Sequence, residues 1–267
     1  MSMPPDRPLT EILGAIPYRM ALAGGWIDQP FVSRLDPAPP GSMVVVSLEP
    51  TCRFMERAGM ATGTRHVALE LWNGRLPDRE PAELVRELYA AENRGRSDPS
   101  GSQDMIGLVY PGVCRLDYDF THEGGIFPKH IEANHDPRVA AWLERVIWVL
   151  PVAQRPEGYN PLGVKHLDPA WIRRLGATGQ ACFDAVVAQD AQALGGSLNA
   201  CMECWEAILP QTVRHPALTV DLKGLLAYYQ SRYCGAMYSG CGGGYLFVVS
   251  LEPVPGAFHV KVRSAAS

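Results

Sequence analysis

The pattern of apolar and polar positions divides the chain into strand-like and helix-like segments. Short, continuously apolar runs bounded by Gly or Pro are typical of buried strands. A run of this kind lies at 43–48, and further strands are expected at 18–23, 145–153, 245–250 and 258–262, and at 105–118 around a Pro111-Gly112 turn. Apolar residues spaced three or four positions apart predict amphipathic helices. These patterns lie at 64–73, 81–92, 168–191, 196–208 and 217–233. The irregular alternation of strands and helices predicts an α+β fold.

A stretch rich in Pro and Gly at 154–163 is the predicted boundary between two lobes. The N-terminal lobe would comprise residues 1–153 and the C-terminal lobe residues 164–267. The total of 267 residues fits one large unit or two closely packed lobes.

Composition narrows the class of protein further. Hydrophobic residues make up 47% and charged residues 19%, which is typical of a globular protein and argues against wholesale disorder. A net charge of −4 argues against a nucleic-acid-binding protein, which needs a basic face. No apolar run approaches the ~20 residues of a membrane span, and the first residues lack the apolar stretch of a signal peptide. We therefore expect a soluble, cytoplasmic protein whose partner is a small molecule rather than a nucleic acid or a membrane.

Seven cysteines are scattered along the chain, and two of them form the motif Cys201-x-x-Cys204. This spacing is used in zinc and redox sites, but no second pair completes a four-ligand set. Because the motif lies within an apolar helical pattern, two small buried residues on a helix face are the better interpretation.

A first glycine-bearing segment, Gly59–Arg65 (GMATGTR), immediately precedes the predicted helix at 64–73. Small residues let a ligand approach the backbone, and the start of a helix offers unpaired N–H groups and a positive dipole end. The hydroxyl groups of Thr62 and Thr64 add further polar contacts, so the segment has the chemistry of a phosphate cradle. An ordinary threonine cap on a helix is the alternative interpretation.

Two further segments combine glycine with polar chemistry. Ser239–Gly244 (SGCGGG) carries four glycines in five positions before an apolar strand. Each glycine costs about 1 kcal/mol relative to alanine in a regular element, which favours a functional or conformational role for this density. Arg19–Asp28 (RMALAGGWID) places opposite charges on either side of paired glycines. For Arg19–Asp28, the alternative interpretation is a surface salt bridge beside a turn.

Taken in order, these segments resemble the three motifs of the GHMP kinase superfamily, which includes galactokinase and the homoserine, mevalonate and phosphomevalonate kinases. Arg19–Asp28 is similar to the first motif, in the GGW-x-D form of fucokinase-like and heptose-phosphate-kinase-like members. Gly59–Thr64 stands where the family's phosphate loop belongs, and Ser239–Gly244 is similar to the third motif. The segment 99–104 (PSGSQD) resembles the one that carries the family's catalytic aspartate.

The resemblance implies a two-lobed α+β fold, with an N-terminal lobe like ribosomal protein S5 domain 2 and a ferredoxin-like C-terminal lobe. It implies ATP between the lobes, Mg²⁺, and transfer of the γ-phosphoryl group to a hydroxyl of a small molecule. The GGW-x-D form favours a sugar or a sugar phosphate as acceptor. A kinase for an amino-acid or other non-sugar alcohol, and a non-catalytic nucleotide- or metabolite-binding protein, are the alternatives. A homodimer is left open.

The resemblance also implies roles for individual residues. Asp104 would accept the proton of the acceptor hydroxyl, and Arg19 would stabilise charge beside it. Asp28 would bind the other hydroxyls of the substrate, with Gly25 and Trp26 in the same site; stacking of Trp26 on a sugar and a core role for it are about equally supported. The implied magnesium ligands are Glu92 and Thr64. The implied nucleotide-binding residues are Gly59, Met60, Ala61, Thr62, Gly63, Thr64, Arg65, Gly240, Gly242 and Gly243.

The central loop departs from the family's usual G-L-G-S-S-S/A sequence. Gly63 has no hydroxyl, so an expected contact to phosphate or magnesium depends on a neighbouring threonine. Arg65 is an additional cation at the start of the helix, where it would either bind a phosphate through its guanidinium or point to Glu70 or solvent.

Overall fold

The computed structural model describes residues 13–96 and 99–265. Within them the helices are α1 (Pro30–Ser33), α2 (Thr62–Leu71), α3 (Pro81–Glu92), α4 (Gln103–Val109), α5 (Pro137–Val146), α6 (Pro169–Ala188), α7 (Ala191–Ile208) and α8 (Leu222–Gln230). The strands are β1 (Tyr18–Ala21), β2 (Gly41–Leu48), β3 (Val113–Tyr118), β4 (His130–Asn134), β5 (Ile147–Ala153), β6 (Gly235–Gly240) and β7 (Gly243–Val249). The predicted α+β class is confirmed.

The first sheet is antiparallel and has the order β1-β2-β3-β4. All eight residues of β2 are buried, because helix α6 covers the sheet on one side and the apolar side chains of β2 fill both faces. The backbone of α6 comes very close to β2 at Gly176 and Gly179, where a Cβ would overlap Gly41 and Ser42. Small residues on α6 therefore set the spacing between helix and sheet.

The second sheet has the order β5-β7-β6 and is also antiparallel. Strand β7 is central and fully buried, and α7 packs against β6. Strand β5 precedes the predicted lobe boundary at 154–163, so this sheet is built from both sides of that stretch. One continuous apolar core extends through both sheets.

Two sequence-based predictions of strands are wrong. Residues 105–109, the first part of the segment expected to form strands, belong to the helix α4, and only 113–118 form a strand. A short apolar run does not distinguish a buried strand from a buried helix. The predicted strand at 258–262 makes only two isolated bridges, Leu48 with Val262 and Val149 with Phe258. This terminal segment contacts the last residue of β2 in the first sheet and the edge strand β5 of the second, and it forms a ladder with neither.

Three elements have little sequence signal. Strand β4 is mostly exposed and therefore has no apolar run, and β6 (GAMYSG) consists largely of small residues. Helix α5 begins at an Asp136 cap that accepts a hydrogen bond from the backbone N–H of Arg138. Its last two residues, 145 and 146, fall within the segment 145–153 that the apolar pattern predicts to be a strand.

The interpretation of Cys201 and Cys204 as buried helix-face residues is confirmed, since both lie buried on α7. The Cys201 thiol accepts a hydrogen bond from the backbone N–H of Gly24 at 3.3 Å. In the part of the chain that the structure describes, no three His, Cys, Asp or Glu side chains are grouped as metal ligands. No helix in that part has the length and apolarity to cross a bilayer.

Candidate active site

A cavity of about 420 Å³ brings together segments that are far apart in the sequence. Its walls come from β1 and the loop after it, the start of α2, the start of α4, the β6–β7 turn and the segment after β5. Of the six non-glycine residues with a left-handed backbone in the described ranges, Trp26, Arg57 and Ala61 line this cavity. Such conformations cost free energy and are typical of functional sites.

Asp104 lies in the first turn of α4 and is held from two directions. The Arg19 guanidinium, buried in β1, donates a hydrogen bond to Asp104 Oδ1. Thr64 Oγ1 in α2 donates to Asp104 Oδ2 at 3.4 Å. Helix α4 passes so close to Arg19 that a Cβ at Gly107 would overlap the arginine side chain. The predicted pair of Asp104 and Arg19 is therefore in contact, and its carboxylate is fixed at the cavity wall.

The start of α2 also faces the cavity, through Ala61, Thr62 and Gly63. Gly59, with φ +77°, packs on the backbone of Ser239 and Gly240, and its carbonyl accepts a hydrogen bond from Arg19 Nη1 at 3.1 Å. A side chain at Gly59 would overlap that backbone. The two glycine segments thus meet directly, next to Asp104.

Asp28 forms a second, different carboxylate site in the cavity wall. Its side chain is only 1% exposed, Oδ2 accepts a 3.3 Å hydrogen bond from Gln29 Nε2, and Oδ1 has no partner among the described residues. Burial, and then the nearby charge of Asp104, raise the pKa of Asp28 to about 6. A Cβ at Gly101 would overlap this carboxylate, so glycine there lets the segment before α4 pass over Asp28.

Gly25 and Trp26 line the cavity beside Asp28, as expected for an acceptor site. The Gly25 carbonyl accepts a 3.0 Å hydrogen bond from Trp205 Nε1, and Trp26 packs edge-on against Phe31 with 6.2 Å between ring centroids. The Trp26 side chain is therefore neither a core tryptophan nor fully exposed.

Several predicted nucleotide-binding residues lie away from the cavity. Met60 is fully buried in the core. Gly242 packs under the Tyr159 ring, and the nearest side chain to Gly243 is that of Leu222. These glycines form the β6–β7 turn and its close packing.

Arg65 adopts neither of the expected orientations. Its guanidinium donates hydrogen bonds to the carbonyls of Leu13, Gly14 and Ile16 and lies 4.2 Å from the centre of the Tyr18 ring. The side chain is buried, and it points neither into the cavity nor to Glu70 or solvent. Arg65 therefore ties the segment before β1 to helix α2.

Glu92, a predicted magnesium ligand, lies behind the cavity wall. Its Oε1 accepts a 3.0 Å hydrogen bond from the Ser100 hydroxyl and lies 3.6 Å from Arg96 Nη1. Its Oε2 is buried and has no partner among the described residues. Ser100 itself lines the cavity, so one side chain separates Glu92 from it.

Sequence reasoning assigned no role to several polar or aromatic residues of the cavity wall, among them Gln29, Glu56, Arg57, Gln103, Arg155 and Trp205. The two glutamines are adjacent to the predicted aspartates 28 and 104, which was an available signal. Arg57 lies two positions before the Gly59–Arg65 segment, whereas Arg155 and Trp205 are far from the three glycine-bearing segments, and only folding brings these two to the site.

The residues present fit a polyphosphate nucleotide with a divalent cation. The start of α2 and the guanidinium groups of Arg57 and Arg155 place positive charge along one part of the wall. Asp104 offers carboxylate oxygens there, one of which accepts a hydrogen bond from Thr64, and a magnesium ion bound with a nucleotide takes most of its ligands from phosphate and water. The cavity volume lies within the range of small-molecule sites.

Comparison with solved structures identifies the fold. A mevalonate kinase matches with a TM-score of 0.61 and 10% identity, over 94% of this chain and 99% of that chain. Lactococcus lactis galactokinase, solved with galactose, matches with a TM-score of 0.60 and 11% identity, over 95% of this chain and 94% of that chain. The chain has the GHMP kinase fold.

A D-glycero-D-manno-heptose 1-phosphate kinase from Bacteriodes thetaiotaomicron shares this GHMP kinase fold with a TM-score of 0.55 and 10% identity, over 94% of this chain and 96% of that chain. No protein-family model and no curated protein matches the sequence. The structural resemblance that the motifs predict is confirmed, whereas sequence identities this low establish the fold and not the reaction.

Proposed function

We propose that this protein is an ATP- and Mg²⁺-dependent kinase that transfers the γ-phosphoryl group to a hydroxyl of a sugar or sugar phosphate. The observation that carries the proposal is the position of Asp104. Its carboxylate is fixed by Arg19 and Thr64 beside the start of α2, in a cavity large enough for a small molecule. Phosphoryl transfer requires a positioned base and positive charge, and does not require a covalent nucleophile.

In the proposed mechanism Asp104 accepts the proton of the attacking hydroxyl. Arg19 orients the carboxylate through its hydrogen bond to Oδ1 and places a positive charge next to the reacting oxygen. Thr64 holds the other carboxylate oxygen. Because both oxygens are held, little reorganisation of Asp104 is needed when the acceptor binds.

The nucleotide phosphates would bind at the start of α2, where Ala61, Thr62 and Gly63 face the cavity. Unpaired backbone N–H groups and the helix dipole favour anions there, and Arg57 adds a guanidinium. Magnesium, when bound with the nucleotide, supplies charge neutralisation of the phosphates. Thr64 is proposed to contribute a hydroxyl near it, and Glu92 a carboxylate behind Ser100.

The acceptor would bind on the side of Asp28. The free Asp28 Oδ1 and the unpartnered Gln103 Oε1 are hydrogen-bond acceptors buried in or at the cavity wall. Together with the Trp26 ring they provide the carboxylate, amide and aromatic surface suited to a polyhydroxylated ring. The structural neighbours that act on galactose and on a heptose phosphate support the same class of acceptor.

The test measures ADP release with a panel of free sugars, sugar phosphates, polyols and hydroxy amino acids. With an accepted substrate, Asp104→Asn should lower kcat by about 10²–10⁴-fold and change KM little, because the lost step is proton transfer. Asp184→Asn, on the exposed face of α6, is the matched control and should leave kcat unchanged.

Turnover by Asp104→Asn within tenfold of the wild type would show that Asp104 is not the base. Tight binding of a nucleotide or a sugar with no ADP release from any acceptor would favour a non-catalytic binding protein.

A further inference from the structure

Three arginines of the described chain line the cavity, and only one of them is paired with a carboxylate. Arg19 contacts Asp104, whereas none of the ion pairs within residues 13–96 and 99–265 includes Arg57 or Arg155. Arg155 Nε is also buried without a hydrogen-bond partner among the described residues. A buried donor of this kind costs free energy unless a ligand satisfies it.

The Arg155 guanidinium lies where the two glycine segments of the cavity meet. A Cβ at Gly240 would overlap Arg155 Nη2, and it would lie 3.1 Å from the Cα of Gly59. The Gly59 carbonyl in turn accepts the 3.1 Å hydrogen bond from Arg19 Nη1, and Arg19 contacts Asp104. Arg155, Gly59 and Arg19 thus form one continuous part of the wall, which ends at the proposed base.

Arg57 is the neighbour of Arg155 and lies further out. Arg57 is exposed, whereas Arg155 is half-buried. The Arg57 Nη2 donates a 3.3 Å hydrogen bond to the carbonyl of Pro156, the residue after Arg155. Its backbone N–H donates to Thr62 Oγ1 at 3.3 Å, which ties Arg57 to the start of α2. Of the two unpaired cations, Arg155 is therefore the inner one.

The chain around Arg155 is held in place by several contacts. Besides the hydrogen bond to the Pro156 carbonyl, the Tyr159 hydroxyl donates a 2.8 Å hydrogen bond to the carbonyl of Gln211. The Tyr159 ring also packs against Gly242, where a Cβ would overlap it. A cation presented from a fixed segment needs little reorganisation when an anion binds.

The terminal phosphoryl group of the nucleotide is the anion that fits this position. In the proposed reaction the acceptor oxygen bonds to the terminal phosphorus, the bond from that phosphorus to the bridging oxygen breaks, ADP leaves, and the hydroxyl proton passes to Asp104. The transferred group must therefore lie beside Asp104, next to the part of the wall that carries Arg155. Charge is spread over the three outer oxygens of this group during transfer, and a guanidinium donates two parallel hydrogen bonds to such oxygens.

We infer that Arg155 binds the terminal phosphoryl group of ATP and is a catalytic residue of the transfer. The inference rests on the proposed function and adds to it a residue that lies outside all three glycine-bearing segments. It accounts for the glycine at 240, because a side chain there would displace the guanidinium. Gly63 offers the phosphates no hydroxyl at the start of α2, and Arg155 supplies donors from the segment after β5.

The experiment compares two nucleotides that differ in the terminal phosphate. ADP and a non-hydrolysable ATP analogue, each with Mg²⁺, are titrated by calorimetry into the full chain. The proteins are the wild type, Arg155→Gln, Arg155→Lys, Arg57→Gln and the control Arg145→Gln. Arg145 is exposed in the last turn of α5 and does not line the cavity. Thermal unfolding of each variant checks that it folds.

Arg155→Gln should weaken binding of the ATP analogue by about 10–100-fold and change the affinity for ADP by no more than about twofold. Arg155→Lys should recover part of the analogue's affinity, since it keeps the charge but not the paired donors. Arg57→Gln should weaken both nucleotides, because Arg57 is tied to the start of α2, where the phosphates common to both would bind. Arg145→Gln should bind both as the wild type does.

With an accepted acceptor, Arg155→Gln should also lower kcat by about 10²–10³-fold, because the lost donors stabilise charge in the transition state. Recovery of part of this rate by Arg155→Lys would support a direct contact with the phosphoryl group. Turnover by Arg155→Gln within about twofold of the wild type would overturn the catalytic assignment.

The inference is overturned if Arg155→Gln weakens ADP as much as the analogue, if it weakens neither, or if the selective loss is found with Arg57→Gln instead. Any of these results, with nucleotide binding by the wild type intact, leaves the proposed function standing. Selective loss with Arg155→Gln, but no phosphorylation of any acceptor by the wild type, would support Arg155 as the ligand of the terminal phosphate and count against the proposed function. A wild type that binds neither nucleotide would overturn both.

Discussion

The two aspartates of the cavity wall, Asp104 and Asp28, have contrasting environments. Asp104 has a side chain about one quarter exposed (27%), and both of its oxygens accept hydrogen bonds, from Arg19 and Thr64. Asp28 is almost completely buried, and one of its oxygens has no partner among the described residues. Among the described residues, both oxygens of Asp104 have hydrogen-bond donors, whereas only one oxygen of Asp28 does.

This difference separates the two roles. A carboxylate held by neighbouring donors is preorganised, which is what a base in group transfer requires. A buried polar atom without a partner costs about 1–3 kcal/mol and is tolerated where a ligand supplies the missing bond. Gln103 Oε1 and Arg155 Nε, which also belong to the cavity wall, likewise have no partner among the described residues.

The largest effect is expected for Gly59→Ala, which disturbs the contact between the two glycine segments next to Asp104. The added Cβ would overlap the backbone of Ser239 and Gly240, at a position whose φ of +77° disfavours alanine. Overpacking and strain together should lower the free energy of unfolding by about 2–4 kcal/mol. Nucleotide binding should weaken as well, because Arg19 is bonded to the Gly59 carbonyl. Urea unfolding and calorimetry measure the two effects.

The matched control is Gly196→Ala on α7, where a Cβ would meet nothing within 4 Å. It should raise the free energy of unfolding by about 0.5–1 kcal/mol through helix propensity and leave ligand binding unchanged. Equal stability of the two variants would disprove the tight contact between the glycine segments.

A second prediction concerns the pH dependence of stability that Asp28 causes. Because the pKa of Asp28 is about 6 in the folded protein and 3.8 is its usual value, folding is disfavoured once the carboxyl ionises. The wild type should lose up to about 3 kcal/mol of stability as pH rises from about 4 through 6, and no more above that range. Asp28→Asn does not ionise. The free energy of unfolding of Asp28→Asn, relative to that of the wild type, should therefore increase by that amount as pH rises through the same range. Urea unfolding at several pH values measures it.

The exposed Asp184→Asn serves as the control and should follow the wild-type pH profile. If Asp28→Asn and the wild type show parallel profiles between pH 4 and 7, then Asp28 is solvated or paired, and the contrast between the two carboxylates is wrong.

The smallest effect is expected for Thr64→Val, which removes one donor to Asp104 while keeping the shape of the side chain. Loss of a single 3.4 Å hydrogen bond should lower kcat by about 2–10-fold, and Thr64→Ser should restore it. A loss beyond 100-fold would indicate that the hydroxyl also serves the magnesium ion. Titration of kcat against Mg²⁺ concentration distinguishes the two cases.

Much of the site follows from local sequence. The glycine segment before α2, the Gln-Asp pair that opens α4, and the glycine–tryptophan loop after β1 each have a local pattern, and the structure brings all three to one cavity. Their chemistry is readable because helix starts and left-handed glycines are local properties of the backbone. Asp104 lies next to the start of α2, where Thr64 Oγ1 donates a hydrogen bond to it.

Other features had no local signal. Arg65 lies in the Gly59–Arg65 segment, yet its guanidinium donates hydrogen bonds to backbone carbonyls of the segment before β1. The terminal segment at 258–262 has the alternation of a strand, yet it bridges two sheets and joins neither. Helix α4 and a buried strand have the same apolar content over so few residues, so only packing decides between them.

The sequence by itself determined the α+β class, most of the helices and strands, and three of the segments that line the cavity, because these depend on periodicity and on backbone preferences within a few residues. Only the tertiary structure decided which charges are paired. Arg19 is paired with Asp104, backbone carbonyls are paired with Arg65, and Arg155 Nε has no partner among the described residues, because pairing depends on distances between residues that lie tens of positions apart in the sequence.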